Sequence, residues 1–275
     1  MPAQLSLQFE STSALYQPGQ LVRGSVRLAA KSDLHPRGVT VRAYGKEATS
    51  LGMNAAMNVL THPLDLSFSV WSPTIESDRL NAGEHTFSFE FALPLVLPPT
   101  FDGELTTIDY RVEVKVNLPM HTDLHLEKPF SVSVPPLVDA DKSIRATATS
   151  PRGLTLELDL KTSGFYPEEH VSGELLVIGS GRETIKQATI DLVSREKGEA
   201  HDFVDRAENV RVRAEIDPTQ LRSGKPFPID IPIPADAGPS FVGQHSSQTH
   251  LVRVQTDPGS GRPLMAETLI RIGAR

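Results

Sequence analysis

The chain has no cysteine, one tryptophan (Trp71) and four tyrosines in 275 residues. Without cysteine it forms no disulfides and offers no thiolate ligands, a composition suited to a reducing compartment. So few Trp and Tyr make a thin supply for a carbohydrate-binding platform, which displays exposed aromatics. No apolar run approaches the roughly 20 residues that cross a bilayer, so an integral membrane segment is not expected. A basic excess is missing too: 34 Asp and Glu outweigh 27 Lys and Arg, for a net charge of −7. That balance argues against a dedicated nucleic-acid binder, since phosphate contacts need clustered cations. Gly-x-Ser-x-Gly, His-Glu-x-x-His and Walker-type loops are all absent. The first residues, Met-Pro-Ala-Gln-Leu-Ser-Leu-Gln-Phe, lack the basic stretch and apolar core of a secretion signal. Cytoplasmic residence is the expectation.

What the chain does contain is repetition. Tyr16-Gln-Pro18-Gly-Gln-Leu-Val22-Arg-Gly24-Ser-Val26 returns as Phe165-Tyr-Pro167-Glu-Glu-His-Val171-Ser-Gly173-Glu-Leu175, a lag of 149 residues (167 minus 18). Pro99-Thr-Phe101-Asp-Gly103 returns as Pro239-Ser-Phe241-Val-Gly243, a lag of 140 (241 minus 101). Two homologous halves follow, and the length accommodates two domains of ordinary size. Period-two alternation runs through both halves, as in strands with one buried face. Val22, Gly24, Val26 and Leu28 point one way while Arg23, Ser25 and Arg27 point the other; Phe87, Phe89 and Phe91 oppose Ser88 and Glu90. The 22 prolines collect between such runs, because a central strand cannot spare its N–H. Short strands bounded by Gly and Pro indicate an all-β chain of two tandem immunoglobulin-like antiparallel β-sandwiches.

Residues 1–138 and 139–275 are the expected domains, with a linker at about 135–151 where alternation lapses. Thr49 to Leu60 alone shows helical spacing, with Met53, Met57 and Leu60 at i, i+4 and i+7, read as a short helix covering a sandwich edge. Pro18-Gly19 suits a turn, and Gly24 and Gly173 inside strands suggest a bulge or a close approach of another backbone.

Tyr16-x-Pro18-Gly19-x-x-Val22-x-Gly24-x-Val26, then Gly83-Glu84-His85-Thr-Phe87-Ser-Phe89-Glu-Phe91-x-Leu93-Pro94, then Pro98-Pro99-Thr-Phe101-x-Gly103 and Tyr110-x-Val112-x-Val114, resembles the N-terminal domain of arrestin-fold proteins. Residues 151 to 275 resemble the arrestin C-terminal domain. Among the branches, the chain is most similar to the bacterial sporulation-control (Spo0M-like) group and more distantly to the Vps26-type retromer subunit. The resemblance implies a cytosolic adaptor or regulator working through protein contacts without chemistry, in sporulation or in stress or cell-envelope regulation. Receptor-binding arrestins carry an amphipathic helix before the Gly-Glu-His segment, where Pro73 to Ala82 here is short and charged. The chain also stops at Arg275 without the clathrin, adaptor or Pro-Pro-x-Tyr motifs of trafficking relatives, so endocytic recruitment is not expected.

The chemistry-bearing candidates are few. His121, Asp123 and His125 share one strand face at spacing two and form the best metal-like cluster, though exposed polar positions on an edge strand explain them equally well. Ser246, His250 and Asp257 contain the residue types of a hydrolytic triad, with nothing marking a nucleophile or an oxyanion hole. His250 occupies the repeat position of Tyr110, which favours packing. Gly179-Ser180-Gly181 reads as a hairpin turn between strands. No catalytic residue, no metal and no cofactor is therefore assigned. Other proteins are the expected partners, meeting sheet edges, the interdomain cleft or a loop from Glu47 to His62. Peripheral membrane contact and an edge-paired homodimer are both allowed. The alternative is a β-sandwich binding a small molecule or carbohydrate, less readily a metal-dependent enzyme at the His121 region.

Overall fold

In the computed structural model the described residues are 3–50, 59–64 by their backbone, 79–119, 122–136, 143–179, 185–200, 203–257 and 262–274. Among the described residues the first half has the strands β1 (Ala3–Phe9), β2 (Leu15–Tyr16), β3 (Leu21–Ala30), β4 (Gly38–Ser50), β5 (Val59–Leu64), β6 (Gly83–Ala92), β7 (Phe101–Asp102), β8 (Thr106–Asn117) and β9 (Leu124–Val132). The described residues of the second half form β10 (Ile144–Thr149), β11 (Thr155–Leu160), β12 (Gly164–Phe165), β13 (His170–Ile178), β14 (Gln187–Ala200), β15 (Phe203–Ile216), β16 (Pro226–Pro232), β17 (Phe241–Val242), β18 (Ser246–Asp257) and β19 (Leu264–Ile272). A 3-10 turn, Pro218–Gln220, is the one helical element among the described residues.

The halves repeat in topology as well as in sequence. The first has a sheet β1-β3-β6 facing a sheet β2-β9-β8-β4-β5, with β7 on β8; the second has β10-β11-β13-β16 facing β12-β19-β18-β14-β15, with β17 on β18. Each half is thus a β-sandwich. Gly45 pairs with Tyr110 in the first and Ser194 with His250 in the second, so the sequence lags of 149 (194 minus 45) and 140 (250 minus 110) carry over to the register. β10 has no counterpart among the described residues of the first half, and it turns part of the stretch expected as linker into a strand.

The alternation does what period-two patterning requires. Val22, Val26 and Leu28 of β3 and Val112, Val114 and Val116 of β8 are fully buried. The first core is aromatic at its centre: Phe130 has Phe9 at 6.1 Å, Tyr16 at 6.0 Å and Tyr110 at 5.7 Å between ring centroids. The second core is aliphatic, built on Leu156, Leu158, Leu160 and Leu175. Gly24 and Gly173 sit in unbroken register, so neither marks a bulge. A Cβ at Gly24 would meet Phe89 at 2.4 Å and the Gln8 carbonyl at 2.5 Å, and one at Gly173 the Asp159 carbonyl at 2.3 Å. Close approach is the reason for both.

Two expectations change. Thr49 and Leu60, the ends of the anticipated helix, are strand residues paired with each other across β4 and β5. Apolar spacing over so short a window fits either element, and hairpin pairing decides it here; Met53 and Met57 lie outside the described residues. Gly179, with Ser180 and Gly181 beyond the described residues, follows β13 and precedes β14, which belong to facing sheets. The two strands are not paired with each other, so they do not form the expected hairpin.

Truncating Phe130 to Ala should lower the unfolding free energy of the first sandwich by about 3–5 kcal/mol, the usual cost of emptying a buried aromatic site. Denaturant unfolding of the variant tests this, and a loss under about 1 kcal/mol would mean the aromatic cluster is not the centre of that core.

A charge ladder crosses the outer face of the second sandwich. Glu208 on β15 accepts from Arg195 Nε at 2.7 Å and Arg253 Nη1 at 2.8 Å. Arg253 and Arg195 hold its carboxyl down to about 2 from its ordinary 4.5. A carboxylate held down in the folded state stabilises it above the unfolded value and loses that contribution as pH falls from about 4.5 towards 2. Its exposure and salt screening keep the effect small. The unfolding midpoint should therefore drop more steeply across that window in the native chain than in Glu208→Gln, and the difference should shrink at high salt. Parallel curves would remove the ladder from the acid sensitivity.

Candidate functional site: the joint between the sandwiches

On β4 the inward phase runs Val39, Val41, Ala43, Gly45, Glu47, Thr49, while Arg42 and Lys46 point out. The alternation thus forces a carboxylate inside. Glu47 is 0% exposed. Its repeat equivalent on β14, 149 residues on (196 minus 47), is Glu196, also buried. A buried carboxylate is costly unless hydrogen-bonded, and neither of these finds its donors in its own sandwich.

Each reaches across to the other. Glu196 accepts from the backbone N–H of Glu104 at 2.8 Å and of Leu105 at 3.0 Å, in the β7–β8 turn. Glu47 accepts from the backbone N–H of His245 at 3.2 Å and from Ser246 Oγ, in the β17–β18 turn. The two turns close alike, Gly103 N–H to Thr106 O at 2.8 Å and Gly243 N–H to Ser246 O at 2.7 Å. At the strand tips Thr49 Oγ1 donates across to Glu199 O at 3.3 Å, while each turn is also tied to its own sandwich, Ser50 N–H to Leu105 O and Glu199 N–H to His245 O, both at 2.7 Å. Between the turns Phe101 and Phe241 pack edge to face at 4.9 Å, each buried. The joint is a pseudo-twofold clasp.

The glycines of the two Pro-x-Phe-x-Gly echoes are explained by this approach. A Cβ at Gly103 would lie 2.6 Å from both Glu196 oxygens, and one at Gly243 2.6 Å from Glu47 Oε1. Burial pushes the Glu196 carboxyl up, against the pull of the Glu104 and Leu105 N–H groups. The clasp is unequal. Glu47 Oε2 has no hydrogen-bond partner among the described residues, whereas both Glu196 oxygens are engaged.

Two hollows open beside the phenyl pair. One, about 590 Å³, is lined by Val96, Pro98, Pro135, Val242 and Arg271 among others. The second, about 470 Å³, is lined by Asp102, Glu104, Asp236, Gln248 and His250 among others. They are repeat mates: at a lag of 140, Val96 answers to Asp236 and Asp102 to Val242. One side of the joint has become apolar and the other acidic.

The residues singled out in the sequence fall elsewhere or apart. Asp123 Oδ1 accepts the Leu118 N–H at 2.9 Å, closing the β8–β9 turn, and His121 is outside the described residues. His125 lies on β9 beside Glu113 at 2.9 Å and Glu127 at 3.7 Å, carboxylates from the neighbouring strand position and its own. Those carboxylates already face Lys115 at 2.8 Å and Arg111 at 3.3 Å, so the cluster is a surface ion-pair network. Ser246 belongs to Glu47, and His250 Nδ1 pairs with Ser240 Oγ at 3.0 Å, so Ser246, His250 and Asp257 do not assemble. His250 does pack, as Tyr110 does, whose hydroxyl donates to Pro98 O at 2.6 Å. The expected Glu47 to His62 loop begins inside β4 and ends inside β5, and Glu47 faces the joint. Reading one sequence at a time missed the glutamate pair; the repeat alignment carried the signal, as two acidic residues in matching inward positions.

Comparison with known proteins finds a family likeness in the first half. Residues 5–139 match the arrestin (or S-antigen) N-terminal domain. Arrestin domain-containing protein 5 of Bos taurus is 27% identical over 178 residues, covering 57% of this chain and 53% of that protein. Arrestin domain-containing protein 1 of Homo sapiens is 28% identical over 112 residues, covering 40% of this chain and 25% of that protein. The chain thus spans about half the length of the former and a quarter of the latter. The match and the tandem sandwiches fit a protein-interaction role. No helix of the described residues is long and apolar enough to cross a membrane.

Removing a clasp carboxylate orphans buried N–H donors, at about 1–3 kcal/mol each way. Glu196→Ala should therefore speed amide hydrogen exchange at Leu105, and Glu47→Ala at His245, while the centres of β8 and β18 keep their protection. Unchanged exchange at both turns would show that the carboxylates do not hold the joint.

Proposed function

We propose that the chain is a non-catalytic adaptor of arrestin type, acting in the cytoplasm through protein contacts, with residues 1–138 and 139–275 as its two domains. One observation carries this reading: Val96 is 90% exposed and Val242 73% exposed, and both line the apolar hollow at the joint. Large apolar side chains grouped at the mouth of a concave surface mark a protein contact more than a solvent face. Arg271 lines the same hollow, and its guanidinium has no ion-pair partner among the described residues. A partner segment with an apolar side chain and a neighbouring carboxylate suits that pairing. Since the hollow draws on both sandwiches, binding there is coupled to how the clasp sets them.

The setting in sporulation, or in stress or cell-envelope regulation, is supported by the Spo0M-like resemblance of a cysteine-free two-sandwich chain. A homodimer through an edge strand belongs to the same reading, β15 being a 14-residue edge with Phe203 73% exposed.

Crosslinking with mass spectrometry at native expression should return crosslinks from the region of Val96 and Val242 to one or a few proteins. The double variant Val96→Asp, Val242→Asp, at exposed positions that leave the fold intact, should abolish them. Crosslinks confined to the chain itself, or undiminished in the variant, would overturn the adaptor reading at this groove.

A further inference from the structure

The acidic hollow across the joint has the makings of a ligand site of its own. Four carboxylates line it, those of Asp102, Glu104, Glu196 and Asp236, against the single guanidinium of Arg211. That guanidinium is committed to Asp236 at 2.7 Å. His250, 1% exposed at the floor, adds no second cation: burial, and then the Arg211 charge, push it down to about 4, so it is neutral at physiological pH. Glu196 is engaged by the Glu104 and Leu105 N–H groups, and Asn209 Nδ2 donates to Glu104 at 3.2 Å. Asp102 has no hydrogen-bond donor among the described residues, and the hollow keeps a surplus of negative charge.

A second observation is independent of that charge. Gln248 is 6% exposed, lines the hollow, and has its Oε1 buried without a hydrogen-bond partner. A buried acceptor left unpaired costs free energy, and such a group in a native fold calls for a donor from outside the chain. In the other half its place is taken by Ile108, 140 residues earlier (248 minus 108), which is apolar and packed. The repeat tests the alternative that these are inherited scaffold positions. Asp102 stands opposite Val242, Asp236 opposite Val96, Glu104 opposite Gln244 and Gln248 opposite Ile108, so the polar set belongs to one side of the joint alone.

We propose that this hollow binds a protonated primary amine, its ammonium donating to Gln248 Oε1 and facing the carboxylates of Asp102 and Asp236. An ammonium is a compact cation with three donors and no acceptor, which matches a site offering acceptors and negative charge. At about 470 Å³ the hollow falls in the range of small-ligand pockets and accepts an aliphatic stem behind the charged head. The amine comes either from a free polyamine or from a lysine side chain of a bound protein. This site does not depend on the apolar groove, which lies on the opposite side of the joint.

Titration calorimetry and backbone amide spectra of the purified chain with spermidine, and separately with Nα-acetyl-lysine N-methylamide, test the proposal. Saturable binding is expected, with shifts centred on Gln248 and the β7–β8 turn. Gln248→Leu and Asp102→Asn should each weaken it by about tenfold or more, the loss of one charge-assisted hydrogen bond or facing charge. Asp102 is exposed, so its variant keeps the fold even where Gln248→Leu disturbs it. Spermidine alone binding assigns a free polyamine; the capped lysine alone assigns a partner's lysine; both confirm the ammonium site. Binding of neither, or binding of equal strength in both variants, overturns it by reducing the effect to general attraction towards an acidic protein. Val96→Asp, Val242→Asp should leave amine binding intact, which keeps the outcome separate from that of the adaptor test.

Discussion

A carboxylate carried into the interior by strand periodicity must find donors, and the rest of this architecture follows from where Glu47 and Glu196 find theirs. Each lies in the buried phase of its strand, and among the described residues each takes its donors from a turn of the opposite sandwich. A purely apolar joint would tolerate sliding and rotation, because the hydrophobic effect is non-directional. Charge-assisted hydrogen bonds to backbone N–H groups are directional and short-ranged. The clasp therefore sets the angle between the sandwiches as well as their association. Phe101 and Phe241, edge to face at 4.9 Å between the two turns, add buried apolar contact beside those donors.

Duplication explains why the clasp comes in two copies, and divergence explains why its flanks differ. The turns and glutamates could not drift without orphaning buried groups on both sides at once. Positions one or two residues away carried no such constraint. Asp102 and Val242 both follow a Phe at a turn, yet one sandwich contributes a charge and the other a methyl-bearing surface. The cores diverged in the same fashion, aromatic around Phe130 in one half and leucine-rich in the other. Shared topology is thus compatible with two unlike recognition surfaces.

Much of this was legible in the sequence. Strand alternation, proline placement and the 149- and 140-residue echoes indicate tandem sandwiches because period-two burial and turn chemistry are local properties. The close-approach reading of Gly24 and Gly173 holds for the same reason: a strand glycine has few physical explanations. For Thr49 to Leu60, the roughly two turns of apolar spacing from Met53 to Leu60 do not separate helix from hairpin, and long-range pairing arbitrates. The site was harder. His121, Asp123 and His125 attract notice by residue type, whereas Glu47 and Glu196 look like any surface glutamate until their phase on the strand is counted. Their donors lie some 90 and 200 positions away in sequence (196 minus 105, 245 minus 47), and no local pattern announces backbone N–H groups.

The inequality within the clasp bears on how such a joint responds to load. Glu196 has both oxygens engaged and Glu47 only one. Among the described residues the β17–β18 turn is held by the two hydrogen bonds to Glu47, whereas the β7–β8 turn has the two to Glu196 and a third from Asn209 Nδ2 to Glu104, so loosening the first gives up fewer. A free-energy cost that differs between two ends of a pseudo-symmetric contact makes hinging about the stronger end easier than separation. The β17–β18 turn is the one that carries Val242, at the rim of the apolar hollow, while the β7–β8 turn carries Asp102 beside the acidic one. Contacts made at the apolar rim accordingly act on the end of the clasp that yields first, and the acidic side stays with the end that holds.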